Sequence, residues 1–167
     1  LHTRWTTATG VAEVIEFMPH DEHTDIVRRI RGVEGHVEFE VELRVRPDYA
    51  RSMPWMRQVG TDDEPALVAI AGPDAIVVRG VRLHADGFAH RGTVTLTPAH
   101  TTDLTLTWFP SHHSAPPACD ADAALAHTTS WWHNWAAGID HDGPRHAEVV
   151  RSLLVLRALT HEETGGI

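Results

Sequence analysis

The sequence has 167 residues, with 23 acidic and 14 basic side chains, which gives a net charge of −9 when histidine is neutral. This length fits one domain, or one domain with an appendage, and it can bury a core without disulfides. The acidic balance excludes nucleic acids and anionic lipids as main partners, because both require a basic surface. No apolar run approaches the roughly 18 residues of a membrane span. The single Cys119 cannot form an internal disulfide.

The first two thirds of the chain carry the hydrophobic pattern of β-strands. Residues 36–46 alternate strictly between apolar and polar side chains, a period of two that does not fit a helix. The pattern predicts a long antiparallel strand with one face in a core and one in water. Its predicted partner is residues 26–31, joined to it by a hairpin loop at residues 32–35. The glutamates at 38, 40 and 42 are therefore interpreted as a solvated strand face.

Other segments follow the same pattern and are separated by turn residues. Gly72-Pro73-Asp74 and Asp86-Gly87 are typical of tight turns. About seven or eight short strands at this spacing predict an antiparallel β-sandwich over residues 1–110 rather than a parallel sheet with crossover helices. The further strands are expected at residues 3–7, 11–18, 66–71, 75–84, 88–97 and 103–109.

Beyond the sandwich the sequence predicts a connector and two helices. Residues 111–120 form a proline-rich connector that cannot continue a strand. Asp120 or Asp122 can cap a helix that Gly138 ends. A second helix is expected to open at Pro144, with proline at its first position, and to extend to residue 159. This helix is apolar nearly all round, so it needs cover on more than one side.

No catalytic or metal site is predicted from the residue pattern. The histidine pairs lack the H-E-x-x-H spacing of a zinc site, and no cysteine pair exists to complete one. The adjacent carboxylates at residues 62–64 and 162–163 lie in predicted loops, and no separated acid–base pair stands out. Nucleophile-elbow and phosphate-binding glycine motifs are absent, so no cofactor is predicted. The histidine pairs are His20 with His23, His112 with His113, and His141 with His146.

Two groups of aromatic residues are candidates for binding or for packing. Trp131, Trp132 and Trp135 have the spacing of one helix face, which favours packing. The second group lies in a long loop after the best-defined strand, where binding and packing are both open. It consists of Tyr49, Arg51 and Trp55.

Three stretches resemble the N-terminal region of bacterial family 15 glycoside hydrolases, which are the glucoamylase, glucodextranase and trehalase-like enzymes. The first is Arg4-Trp5-Thr6-Thr7-Ala8-Thr9-Gly10-Val11 through Glu16-Phe17-Met18-Pro19. The second is residues 27–35, followed by Arg46-Pro47-Asp48-Tyr49-Ala50-Arg51. The third and most specific is residues 148–160, with Thr164-Gly165-Gly166-Ile167 after it. The three matches are in order and span essentially the whole chain.

The resemblance implies a two-part enzyme. An N-terminal sandwich of the super-sandwich type is followed by linker helices, here residues 121–167, and by an (α/α)6 barrel that hydrolyses α-glucosidic bonds with inversion. Both catalytic glutamates belong to the barrel, so no catalytic residue is carried over to this chain, and neither a metal nor a cofactor is implied. The resemblance also implies that the first strands precede Leu1. Because Leu1 is not an initiator methionine, the sequence predicts a fragment of a larger protein.

On this hypothesis the chain is a non-catalytic domain that packs on the barrel and supports it. Its expected partners are that barrel and the α-glucoside substrate, with a homo-oligomer as a further option, and the expected location is the cytoplasm. Two alternatives stay open: a stand-alone carbohydrate-binding module, and a module that oligomerises through the final helix. The candidates for the substrate rim or barrel contact are Tyr49, Arg51 and Trp55, and those for packing of the final helix are Val150, Leu153, Leu154 and Leu156.

Overall fold

The computed structural model describes residues 1–20, 24–161 and 164–167. It divides into two compact units, Leu1–Leu125 and Ala126–Ile167. The first unit holds the described strands, all of which pair antiparallel, so the expected mainly β fold is confirmed. In the described part of the chain, no helix is both long and apolar enough to cross a membrane.

The first unit contains ten described strands and one short helical turn. In chain order they are β1 (His2–Thr6), β2 (Gly10–Phe17), β3 (Thr24–Gly35), β4 (Val37–Leu43), α1 (Pro47–Ala50), β5 (Trp55–Gly60), β6 (Pro65–Ala71), β7 (Asp74–Arg79), β8 (His84–Asp86), β9 (Ala89–Leu96) and β10 (Thr101–Pro110). A seven-stranded sheet has the order β1-β2-β3-β10-β7-β6-β5, and a three-stranded sheet has the order β4-β9-β8.

The main core lies between the two sheets. Alternating side chains from both sheets meet there, as expected of an antiparallel sandwich. The larger sheet contributes Ile30, Leu67 and Leu104, and the smaller sheet contributes Val94 and Leu96. Because three strands face seven, the smaller sheet leaves part of the larger sheet uncovered.

The predicted hairpin between residues 26–31 and 36–46 is wrong. β3 continues through residues 32–35 and pairs with β2 and β10, whereas β4 pairs with β9 in the other sheet. Gly35 has φ +63°, in the left-handed region that favours glycine, and turns the chain from one sheet to the other. Gly35 therefore serves a change of sheet rather than a hairpin loop, whereas Gly32 lies within β3, where a side chain would collide with the Thr97 backbone.

The predicted strand over residues 75–84 is also interrupted. β7 ends at Arg79, and Gly80 follows with φ +99°. A side chain at Gly80 would collide with the backbone of Asp103, so only glycine fits where the chain leaves the larger sheet. The hairpins β1–β2, β6–β7 and β8–β9 form across the predicted turns.

The connector lies on the face of the larger sheet that points away from the smaller one. The Arg79 guanidinium donates to the Pro116 carbonyl over 2.6 Å, and the Ser111 hydroxyl donates to the Gly72 carbonyl over 2.7 Å. A second apolar cluster lies on this face of the sheet. Its buried members are Ala66, Val68, Ala75, Val77 and Phe109.

The two C-terminal helices form where they were predicted. α2 (Ala121–Ala137) begins after Asp120, whose carboxylate accepts from the backbone N–H groups of Asp122 and Ala123 at 3.1 and 3.0 Å. This is the arrangement of an N-cap. α3 (His146–Leu159) begins two residues after Pro144, so the proline precedes the helix instead of occupying its first position.

Candidate functional site

The loop that carries Tyr49 has an unusual backbone. Asp48, Tyr49 and Ala50 have φ values of 49°, 54° and 65°, so α1 contains consecutive left-handed residues. This conformation costs L-residues roughly 1–2 kcal/mol each. Tyr49 is 95% exposed, so the strained turn holds the ring out in solvent. Strain of this kind is typical of loops selected for a contact rather than for stability.

The other two residues predicted for this loop are exposed as well. Arg51 follows the turn and its backbone N–H donates to the Asp48 carbonyl over 2.9 Å. Trp55 is the first residue of β5, pairs with Ile70 and is 60% exposed. The loop therefore presents a tyrosine, a cation and a tryptophan to solvent, and their predicted role at a substrate rim stays a prediction.

A shallow pocket of about 270 Å³ lies beside this loop. The Arg46 guanidinium donates to the Phe88 carbonyl over 2.7 Å, which joins the start of the loop to the β8–β9 turn. The loop is thus held at its base, whereas its aromatic residues remain free of the core. The pocket is lined in part by Pro47, Asp48, Pro54, Ile76 and Trp108.

In the second unit, α3 has no buried residue. Of the four residues predicted to pack against a barrel, Val150, Leu153 and Leu154 are half-buried and Leu156 is exposed. Val155, Leu156 and Leu159 are 54%, 47% and 60% exposed, and they form one stripe because positions three and four apart share a helix face. Val155 and Leu159 were not among the predicted packing residues, although the sequence shows both to be apolar.

The tryptophans of α2 pack on one another. Trp132 contacts Trp131 and Trp135 edge to face, with ring centroids 4.8 and 6.1 Å apart. The Arg157 guanidinium of α3 lies 5.3 Å from the centre of the Trp131 ring, a cation–π contact that joins α3 to α2. All three rings are half-buried, as predicted for a packing face.

A cleft of about 270 Å³ lies where the smaller sheet ends. Its floor is made of the aliphatic side chains of Val14, Ile30 and Leu104, which belong to the larger sheet. Trp5 of β1 forms one wall and contacts Phe39 of β4 edge to face, with ring centroids 6.5 Å apart. Trp5 remains 53% exposed. The sequence predicted strands here and missed the cleft.

Four consecutive residues of β4 line this cleft, from Phe39 to Glu42. Side chains alternate between the faces of a strand, so a run of neighbours lines a cleft only when it follows the strand's edge. β4 is the terminal strand of the smaller sheet, and its outer edge pairs with no strand in the described part of the chain. Along this edge lie the backbone N–H and C=O groups that β9 leaves unpaired.

Three glutamates and one arginine line the cleft, and each glutamate is paired with an arginine. Arg28 contacts Glu16 at 2.5 Å on the larger sheet, and Arg91 contacts Glu40 and Glu42 at 2.8 and 2.6 Å on the smaller one. The pKa of Glu42 lies below its ordinary value because Arg44 donates a hydrogen bond to its carboxylate, an effect that Arg91 reinforces. Glu38, Glu40 and Glu42 are exposed, as predicted, and Glu40 and Glu42 are also ion-paired.

On the face of the larger sheet that points away from the smaller sheet, ion pairs have a structural role. Arg29 binds Asp103 through two hydrogen bonds of 2.7 and 2.8 Å and also contacts Asp122. These hydrogen bonds raise the pKa of Arg29. Glu13 binds Arg31 and Arg4, and the hydrogen bond from Arg31 is the main reason that its pKa is lowered. These groups tie strands together.

The histidine pairs do not form a metal site among the described residues, where no three histidine, cysteine or acidic side chains converge. The rings of His112 and His113 meet edge to face at 4.3 Å, and those of His141 and His146 stack at 6.2 Å. His23, the predicted partner of His20, lies outside the described residues, and so do the adjacent carboxylates at residues 162–163.

Comparison with known proteins gives one informative similarity. No protein-family model matches this sequence. The chain is similar to a trehalase of Mycolicibacterium smegmatis, at 28% identity over 195 aligned positions that cover all of this chain. The chain spans only 29% of the length of that trehalase. The similarity is therefore to a part of a glycosidase.

Proposed function

We propose that residues 1–167 form a non-catalytic β-domain of a family 15-like glycosidase that hydrolyses α-glucosidic bonds with inversion. The similarity to one part of a trehalase, over the whole of this chain, is the observation that carries this proposal. The domain would support an (α/α)6 catalytic barrel instead of taking part in the chemistry. A cytoplasmic location belongs to the same proposal and rests on the family resemblance alone.

Two exposed surfaces support a structural role next to another domain. The stripe formed by Val155, Leu156 and Leu159 on α3 is an apolar surface that a neighbouring domain can cover. Burying such a surface stabilises the contact by about 25 cal/mol per Å². The strained turn with Tyr49 and the adjacent Trp55 offer a second, aromatic contact. In the proposal, α3 packs on the barrel and this loop reaches its rim.

Activity assays test whether residues 1–167 are non-catalytic and whether the complete protein is a glycosidase. Purified residues 1–167 are expected to release no glucose from trehalose, maltose or dextran. The complete gene product is expected to hydrolyse one of these sugars and to release β-glucose, which polarimetry detects as inversion. Turnover by residues 1–167 alone would overturn the non-catalytic role, and a complete protein inactive on all three sugars would overturn the glycosidase assignment.

Charged substitutions on α3 test the packing surface in the complete protein. Leu159→Asp is expected to lower its thermal midpoint by several degrees, because the charge would be desolvated against the barrel. Arg151→Glu, which also changes an exposed residue of α3, is the matched control and is expected to leave the midpoint unchanged. Equal midpoints for Leu159→Asp and the unsubstituted protein would contradict the packing.

The same apolar stripe favours a second candidate, an oligomerisation module. It predicts that residues 1–167 associate through α3, and that Leu159→Asp restores a monomer. Light scattering at increasing protein concentration distinguishes the two candidates. A monomer at all concentrations would remove the oligomerisation candidate and leave the glycosidase domain.

A further inference from the structure

The cleft between β1 and β4 has the composition of a small-molecule site. Binding pockets are concave and mostly apolar, with a few polar groups that orient the ligand. Here Val14, Ile30 and Leu104 form an aliphatic floor, Trp5 supplies a half-exposed aromatic wall, and charged side chains surround the opening. At about 270 Å³ the cleft is just below the ordinary range of such pockets, which begins at about 300 Å³. It therefore suits a single ring.

The charges around the cleft select against anionic ligands, because three glutamates and one arginine line it. Glu16 is paired with Arg28, and Glu40 and Glu42 are paired with Arg91, which does not line the cleft, so each lining carboxylate already has a cationic partner. A carboxylate has about four acceptor sites and a guanidinium has five donors, so each pair keeps hydrogen-bonding capacity after the ion pair has formed. A neutral ligand with many hydroxyl groups can use both types of group at once.

The open edge of β4 adds backbone donors and acceptors. The residues from Phe39 to Glu42 line the cleft along this edge, which no strand in the described part of the chain covers. Hydroxyl groups can donate to the free carbonyls and accept from the free N–H groups of such an edge. The Trp5 ring has a negative face, which attracts the weakly positive C–H groups on one side of a sugar ring.

The geometry points to this cleft as a binding site for one neutral hexopyranose ring, with Trp5 as the stacking residue and the Glu16–Arg28 pair as a hydroxyl-binding group. This inference deepens the proposed function and rests on it. We take the ring to be glucose because the chain is similar to a part of a glycosidase. A disaccharide such as trehalose would place one ring in the cleft and the other in solvent. The site would hold substrate near the enzyme without cleaving it.

Titration of residues 1–167 with glucose, maltose and trehalose tests the inference. Saturable binding is expected with a Kd of about 1 mM or weaker, because the cleft is small and open. Trp5→Ala is expected to weaken binding by about tenfold, whereas Trp5→Phe retains a ring and part of the affinity. Phe88→Ala is the matched control, because Phe88 is also an exposed aromatic residue but does not line the cleft.

A second variant and a local probe keep the test independent of folding defects. Arg28→Gln removes a charge at an exposed position, and a reduction in affinity of about threefold is expected from the loss of one charge-assisted hydrogen bond. In proton–nitrogen spectra, the Trp5 indole signal, identified from Trp5→Phe, is expected to shift on titration while the Trp108 signal stays in place.

Three results would overturn the inference: no saturable binding at sugar concentrations well above the millimolar range, binding that Trp5→Ala leaves unchanged, or shifts confined to tryptophans other than Trp5. None of these results depends on turnover. A failure here is therefore distinguishable from a failure of the proposed glycosidase domain, which the activity of the complete protein decides.

Discussion

Trp5 of β1 and Phe39 of β4 meet edge to face across the two sheets, with ring centroids 6.5 Å apart and ring planes at 83°. The contact lies where the three-stranded sheet stops and the larger sheet continues without cover. Phe39 packs on the core with its other neighbours, whereas Trp5 stays half in solvent. One aromatic pair therefore joins the hydrophobic core to the open cleft.

Truncation of Phe39 is expected to destabilise the sandwich. Phe39→Ala removes a partly buried ring that packs against the main core, so we expect the free energy of unfolding to fall by about 2 kcal/mol. Urea denaturation followed by circular dichroism measures the change. Phe88→Ala is the control, because Phe88 is 76% exposed, and a change below about 0.5 kcal/mol is expected. Equal effects of the two substitutions would contradict this assignment of the core.

A buried hydrogen bond joins β3 to β10 and gives a second prediction. The Thr107 hydroxyl donates to the Asp25 carboxylate, and the two residues are 1% and 3% exposed. Thr107→Val leaves a buried carboxylate without this donor, so we expect a loss of about 1–3 kcal/mol in unfolding free energy. Thr95→Val, at an exposed position of β9, is expected to change stability little. Denaturation curves for the two variants give the comparison.

The left-handed turn predicts an unusual stabilising substitution. Ala50 has φ 65°, where glycine has no steric penalty, so Ala50→Gly is expected to raise the free energy of unfolding by about 1 kcal/mol. In a regular helix, replacing alanine with glycine lowers the free energy of unfolding instead. Ala123→Gly, at an exposed position of α2, is expected to lower stability by about 1 kcal/mol. If Ala50→Gly also destabilised the protein, the turn would not be strained.

Glu13 makes stability depend on pH in the acidic range. Its folded-state pKa lies below the ordinary value of 4.5, chiefly because Arg31 donates a hydrogen bond to it. A lowered folded pKa means that the stabilisation is complete above the unfolded pKa of 4.5 and is lost as the pH falls through the folded value. Glu13→Gln should therefore flatten the decline in stability below about pH 4.5. A decline as steep as that of the unsubstituted protein would exclude Glu13 as a contributor.

The sequence predicted the local elements well because their signals are local. Alternation of side chains identifies a strand such as β4, and a capping aspartate with a terminal glycine identifies α2. The partner of β4 was wrong because pairing depends on contacts between distant parts of the chain. Gly35 has the same turn chemistry in a hairpin and at a change of sheet, so residues 32–35 are compatible with either.

Prediction of the candidate sites was limited in the same way, by contacts between distant parts of the chain. The exposed loop around Tyr49 and Trp55 was found because aromatic residues in a long loop are visible in the sequence. Trp5 was missed as a wall of the cleft, because the cleft exists only where three strands face seven. The number of strands in each sheet is a property of the whole topology, and no pattern near Trp5 encodes it.

The pairing of β3 with β10 has a consequence for synthesis on the ribosome. Arg29 and Asp103 hold these strands together although 74 positions separate them in the sequence. The centre of the larger sheet is therefore filled only when β10, the last strand in the described part of the chain, has left the ribosome. Until then β3 exposes an unpaired edge, which is open to non-native pairing. The nascent domain is therefore prone to non-native strand pairing until β10 has been synthesised.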